Sequence, residues 1–424
     1  MRSSADRDRF PGWWVVTSCF VVLMTSSGLA FYGLAAYLNA FSKERGWKVS
    51  SISLATTLFF LVGGMAGVLV SRIIARRDMR HVIVFGGVLG AVALGVLGHV
   101  QEKWQLFAVY FVFAVGWACS GMVPATTAIT RWFHVKRGVA LSVASTGLSV
   151  GGVVVTPFIK WMLDRHGLAG TTPWLGAVWL VGIVPVTVLL MQSDPAASGW
   201  LPDGERVAPG VVVDAPPGLA YVTARRMWFF WAVTLGYMFV MGAQVGGILQ
   251  LVKLVEERSG PGAATAVTSV LAGTSVVARL AGGRIVSRLP MSSLTAVLAA
   301  IQGVALALLG VLDSRAGLFA AIVLFGATVG NLLMLQPLLI AQRFGVADYP
   351  RIFSRSQLVT VCGTAGGPYL LGRLHDQAGS YRTPYLIAGA LSLAGALLLA
   401  SGGPATYRPA AAGPVARTAT VAAS

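Results

Sequence analysis

Acidic side chains are scarce in this chain of 424 residues: 15 Asp and Glu stand against 32 Lys and Arg, and only 11% of residues are charged at all. A soluble globular domain carries about 25% charged residues, so the composition argues against one. None of the acids falls in the interior of an apolar run; Asp164 and Asp376 stand near run ends. The membrane interior is thus left without the carboxylate that proton-coupled carriers usually keep there. Cysteine is equally sparse, with Cys19, Cys119 and Cys362 each inside an apolar run, which excludes a disulfide framework and any zinc spacing. There is no nucleotide-binding loop, metal-ligand cluster or nucleophile constellation, which argues against an ATP-driven pump and against an enzyme, and no cofactor is expected.

What the chain has in abundance is apolar length. It is 56% hydrophobic, with a mean hydropathy of +0.74, and apolar runs near the bilayer-spanning length of about 20 residues recur from end to end. Only helices or closed barrels satisfy their backbone in lipid, and the runs are of helical length. The spacing predicts spans at about 13–38, 51–72, 82–100, 105–130, 138–163 and 174–192, then 228–252, 264–286, 292–312, 317–342, 354–375 and 383–402. The run from Trp13 is read as the first span rather than a cleaved signal, because it is long and lacks a small-residue cleavage site. The reading is an all-α membrane protein of twelve helices: a six-helix bundle over 1–192, a Pro/Gly/Asp-rich flexible linker over 193–226, a second six-helix bundle over 227–402 and a disordered tail over 403–424.

The net charge of +17 would suggest nucleic acid in a soluble protein. Here the cations sit in short loops between spans, where they set orientation, so no nucleic-acid partner is expected; membrane lipid is. With the N-terminus cytoplasmic, inner segments carry 20 Lys/Arg and outer segments 11, and Arg279 completes the 32. That bias predicts both termini inside.

The two sets of six are related. Arg72-Ile-Ile-Ala-Arg76 recurs as Arg284-Ile-Val-Ser-Arg288, 212 residues on, and the same offset joins Arg131 to Arg343, Asp164 to Asp376 and Gly167 to Gly379. An even number of spans per half makes a parallel repeat, a design that puts the substrate at the interface of the halves near mid-membrane.

One cation stands inside the membrane. Arg279 lies in the apolar stretch Leu271–Leu289, where an arginine costs about 2.5–3.5 kcal/mol on insertion scales. It lies five residues before Arg284, about 7–8 Å at helical rise. Two readings stand: it snorkels or forms a structural ion pair, or it faces a wet cavity and an anionic guest.

In order along the chain, SRIIARRDMRHV after span 2, Arg131-Trp-Phe with Lys136-Arg137-Gly138, Met227-Trp-Phe-Phe-Trp231, and Arg343-Phe-Gly through Tyr349, Arg351-Ile-Phe, Gly366-Gly367-Pro368, Asp376 and Gly379-Ser-Tyr381 resemble the major facilitator superfamily. The branch resembled is that of monocarboxylate transporters and oxalate–formate antiporters. Ala75 and Ser287 replace the acid usual in the loop after span 2 and in its repeat, and Asp78 replaces a usual glycine. The resemblance implies the major facilitator fold, with Arg279 as the span 8 arginine that holds the substrate carboxylate. A guanidinium suits this because its planar fork binds a carboxylate bidentately and stays charged.

Other candidates follow. Ser275, one turn before Arg279, shares its face and stands where relatives often carry a pairing acid; the alternative is a serine bonded to its own helix. Gln250 stands near a histidine of several relatives, or else is a polar residue at a helix end; Gln244 is deeper. Asn331 and Gln336 are polar groups in an apolar run, with cavity and interhelical roles both open. Tyr32 and Tyr37 echo the aromatics of the antiporter pocket, with Tyr37 nearer its spacing, against simple packing. Loop arginines Arg76, Arg131, Arg137 and Arg288 are read as closing the inner side. The antiporter's second cation, a span 11 lysine, has no counterpart between Gln357 and Thr364, so one buried positive charge is matched to one carboxylate. The expectation is a secondary transporter of a small organic anion, a monocarboxylate, working by alternating access in a bacterial inner membrane, with a co-transported proton left open. The alternatives are efflux of an amphipathic or drug-like compound, and a transporter-like sensor that binds without moving its ligand.

Overall fold

The computed structural model describes residues 10–47, 49–204, 218–260, 267, 270–279, 281 and 289–406. The described parts of the expected spans are almost wholly helical. The first half holds α1 (Gly12–Arg45), α2 (Val49–Ile74), α3 (Met79–Leu97) and α4 (Lys103–Trp132). The run Arg137–Leu190 follows as a single helical stretch, but Gly167 takes φ +64° and ψ −177° inside it and divides it into α5 (137–166) and α6 (168–190). The second half holds α7 (Trp228–Ser259), α8 (described over Val270–Arg279), α9 (Met291–Val311), α10 (Arg315–Phe344), α11 (Tyr349–Ala378) and α12 (Arg382–Ser401). Among the described residues nine stretches are long and apolar enough to cross a membrane. The division at Gly167, with α8 and the more polar α11, brings the spans to twelve.

The repeat is visible in backbone geometry. Gly167 and Gly379 both sit at φ +64°, a conformation that a side chain disfavours, and each turns its chain between the last two spans of its half. The helix crossings also repeat. Gly147 and Gly151 of α5 lie against the carbonyls of Phe20 and Met24 on α1, and Gly363 and Gly367 of α11 lie against those of Met238 and Gly242 on α7. A methyl group at any of these positions would overlap backbone, so only glycine lets these pairs approach.

Helix ends differ from the sequence reading. α1 runs on to Arg45 and stops at Gly46 (φ +64°), and α11 begins at Tyr349, five residues early. Hydropathy marks the apolar middle of a span, whereas a helix continues into the polar layer as long as its hydrogen bonds do. α11 accordingly carries Arg351 and Arg355 in its first turns. Within α1, residues Ser27–Tyr32 form a π-helical segment.

Described parts of the expected flexible linker are held. The Asp203 carboxylate accepts from the backbone N–H groups of His134, Val135 and Lys136 at 3.0, 2.7 and 3.1 Å. Phe10 packs on Trp132, Phe133 and Trp200 with ring centroids 5.6–5.7 Å apart. Farther on, Leu219 N–H donates to the Phe344 carbonyl at 2.7 Å, and Tyr221 N–H to Asp348 Oδ2 at 2.9 Å. The expected disordered tail lies, from 407 on, outside the described residues.

The halves meet along two lines. On one, Ser354 Oγ of α11 donates to Ser71 Oγ of α2 at 2.9 Å, and Gly64 faces Leu358 and Val361. On the other, α5 meets α8 and α10. Both lie toward the face that carries Phe10, the α2–α3 and α4–α5 loops and Thr406, called here the terminal face.

Candidate functional site

α8 reaches its neighbours through glycines on α10. A side chain at Gly326 would meet Leu271 and Thr274, and one at Gly330 would meet Ser275 and Arg279. This close approach buries Arg279 completely and leaves Ser275 only 3% exposed. Asn331, next to Gly330, donates through Nδ2 to the Ala278 carbonyl of α8 and to Ala327, both at 3.0 Å. Arg279, Ser275 and Asn331 are therefore brought together.

Arg279 crosses the seam between the halves. Its Nη1 donates to the Ser145 carbonyl on α5, and Ser142 Oγ donates to the Arg279 carbonyl at 2.6 Å. Tyr32, at the end of the π-helical segment, is close enough to feel the guanidinium charge. Among the described residues no acid pairs with Arg279. Among those residues its Nε and Nη2 have no partner either, and neither do Ser275 Oγ and Asn331 Oδ1. Buried polar groups are paired as a rule, and a buried charge left unpaired is costly. Nε and Nη2 form one edge of the guanidinium, with parallel N–H groups that grip a carboxylate side-on. The arrangement can hold one small anion by two charge-assisted bonds, with a hydroxyl and an amide oxygen beside it for a polar substituent.

The other sequence candidates have different neighbours. Tyr37 is fully buried, and its hydroxyl donates to the Leu29 carbonyl at 2.9 Å. Gln336 uses Nε2 on Ser356 Oγ at 3.1 Å and Thr360 Oγ1 at 3.0 Å of α11, and Ser356 also accepts from Thr234 of α7. Gln244 is buried with its Oε1 unpartnered. Gln250 accepts from Tyr381 at 3.2 Å. Tyr381 stacks on His375 at 4.2 Å, and His375 faces Glu257 and Asp376 at 3.6 Å each. This cluster sits at the end of the second half away from the terminal face.

Of the arginines read as gates, Arg76, Arg131 and Arg137 line the terminal face. A cavity of about 1540 Å³ there includes Arg76, Arg77, Arg80, Arg131 and Arg137 and does not include Arg279. Arg131 donates to the Ser193 carbonyl at 3.4 Å and the Ile74 carbonyl at 3.3 Å. Arg137 donates to the Phe133 carbonyl at 3.0 Å and lies within electrostatic reach of Tyr349 from the other half. Arg288 lies outside the described residues. Asp78, where the motif usually has glycine, starts α3. Partial burial pushes its carboxyl up, but hydrogen bonds from Arg80 and Ser193 and the Arg80 charge outweigh that and hold it down at about 2.

Sequence reasoning missed Ser142, Ser145 and Asp203, and preferred Tyr37 to Tyr32. The first three act through backbone groups distant in sequence, for which no local signal exists. Tyr37 was preferred because it is nearer the spacing of the resembled antiporter; Tyr32, at the end of the π-helical segment, is the one within electrostatic reach of Arg279.

The model of the Major Facilitator Superfamily matches residues 19–345. Among curated proteins, human monocarboxylate transporter 11 is 28% identical over 407 residues, spanning 91% of this chain and 82% of that protein. Bovine monocarboxylate transporter 13 is 25% identical over 401 residues, spanning 92% and 88%. Among solved structures, the transporter FucP in its outward conformation superposes with a TM-score of 0.71 at 17% identity, covering 94% of this chain and 99% of FucP. The human organic anion transporter MFSD10 does so with a TM-score of 0.71 at 14% identity, covering 92% and 100%. The structural likenesses show the fold alone.

Proposed function

Because the chain belongs to the Major Facilitator Superfamily, we propose that it carries a small monocarboxylate across the membrane by alternating access, with Arg279 as the carboxylate anchor. The observation that carries this reading is the free edge of a fully buried guanidinium, Nε and Nη2, with no acid beside it among the described residues. A guest carboxylate supplies both missing acceptors and the missing charge. Ser275 and Asn331 then line the anion, with Tyr32 across the seam. The relatives named monocarboxylate transporters support the substrate class.

The seam joined toward the terminal face supports an outward-facing arrangement, with the bundles 1–192 and 227–402 rocking about the bound anion. The guanidinium that would take the substrate through Nε and Nη2 also holds α5 through Nη1, so one side chain links binding to the seam. Arg76, Arg131, Arg137 and Arg288 are assigned to the inner closure. The Lys/Arg excess of 20 over 11 supports a cytoplasmic terminal face, and the character of the motifs supports a bacterial inner membrane; the curated relatives reported above are mammalian.

The test is uptake into proteoliposomes of a panel of labelled acids, lactate and pyruvate first, with and without a proton gradient. Accumulation of a monocarboxylate but not of a dicarboxylate is the expected result, and its dependence on the gradient reports whether a proton travels with it. Binding without flux, or export of apolar compounds alone, overturns the reading.

A further inference from the structure

We propose that an arginine crevice between α2 and α11 on the terminal face is a binding site for the phosphate headgroup of an anionic phospholipid. The crevice is a cavity of about 730 Å³ lined by Arg72, Ile73, Arg76, Arg77 and Arg351. It opens beside the Ser71–Ser354 hydrogen bond that joins the halves. Four arginines line it, with little to offset their charge. Asp348 lies 3.5 Å from Arg351 Nε, but it also accepts the Tyr221 N–H. Asp78 is engaged by Arg80 and Ser193. Among the described residues the side chains of Arg72, Arg76 and Arg77 have no ion-pair or hydrogen-bond partner. Like charges lining one cavity repel, and an anion bridging them removes that cost.

A free phosphate would answer the charge alone; the surface below the crevice selects a lipid. Leu61, Met65, Leu69 and Ile73 are 37%, 62%, 59% and 44% exposed. Spaced four apart, they form one apolar column along α2 that ends at the crevice through Ile73. A molecule with a phosphate at one end and acyl chains at the other matches both features. Basic pockets between membrane helices at headgroup depth bind such lipids. Three of the arginines belong to the first half and Arg351 to the second, so the bound headgroup bridges the seam and favours the arrangement closed on the terminal face. This inference rests on the seam alone and holds whatever the cargo.

The experiment uses the full chain reconstituted in phosphatidylcholine, alone or with phosphatidylglycerol, and counts retained lipids by native mass spectrometry. The parent protein retains phosphatidylglycerol in preference to phosphatidylcholine, and an excess of inorganic phosphate does not displace it. The double variant Arg72→Gln/Arg351→Gln lowers that retention about tenfold. Arg225→Gln/Arg226→Gln, an equal loss of charge near the same face outside the crevice, leaves it unchanged. If the first double variant does not fold, Arg351→Gln and Arg351→Lys are compared, with retention lost in the former and kept in the latter. Equal retention by parent and crevice variants, or full displacement by inorganic phosphate, overturns the proposal.

Discussion

Replacing Arg279 by lysine keeps the charge and removes the fork. In the parent, Nε and Nη2 present two parallel donors to a carboxylate while Nη1 stays on Ser145. An ammonium offers its donors from a single point and cannot hold both the Ser145 carbonyl and two carboxylate oxygens in those directions. A hydrogen bond to a charged group is worth about 1.5–3 kcal/mol. Losing one of the pair weakens binding by about 2 kcal/mol, roughly 30-fold in Kd. The assay is equilibrium binding of labelled lactate to the purified protein, with the uncharged amide of lactate as competitor. The parent binds the acid and ignores the amide, Arg279→Lys binds it about 30-fold more weakly, and Arg279→Gln, which loses the charge too, binds it more weakly still. Binding by Arg279→Lys within about twofold of the parent, or equal affinity of the parent for the amide, would refute the reasoning.

Ser142→Ala removes the 2.6 Å bond from α5 to the Arg279 carbonyl, worth about 1 kcal/mol net; a cysteine placed at Ser354 becomes about fivefold more accessible to a thiol reagent from the terminal face, and an unchanged labelling rate counts against the seam described. Asp203→Ala leaves three backbone N–H groups without their acceptor, so limited proteolysis should nick the 193–226 segment several-fold faster while the spans stay intact. The Asp78 carboxyl is held at about 2, below its ordinary 3.8. The stability it contributes is therefore fully present above the ordinary value and is lost as pH falls through about 2. Asp78→Asn accordingly leaves the pH profile of uptake between about pH 5 and 8 unchanged, and a shifted profile would show that Asp78 titrates in that range.

The twelve spans were legible because lipid demands continuous apolar helices, and the 212-residue offset could be read from residues at helix ends such as Arg131 and Arg343. The Gly167/Gly379 pair was readable for a physical reason: the turn needs a left-handed backbone, and few residues tolerate it. Arg279 stood out because charge in a membrane is expensive. What surrounds it was less legible. Gln336 and Asn331 look alike in sequence, two polar groups in an apolar run, yet Gln336 donates to α11 and Asn331 to α8; only the rotation of α10 decides which. Tyr37 was preferred on spacing, but it donates to the Leu29 carbonyl, whereas Tyr32, at the end of the π-helical segment, lies within electrostatic reach of the guanidinium. Asp203 sits in a stretch whose Pro and Gly content reads as linker, and its three N–H partners lie nearly 70 residues away.

The most direct measurement of the central claim is counterflow of a labelled monocarboxylate in proteoliposomes holding either the parent or Arg279→Ala, matched for folded protein. The account predicts exchange by the parent, inhibited by unlabelled monocarboxylates and not by their amides, and exchange at the empty-liposome rate for Arg279→Ala. Exchange by Arg279→Ala at the parent rate would contradict it.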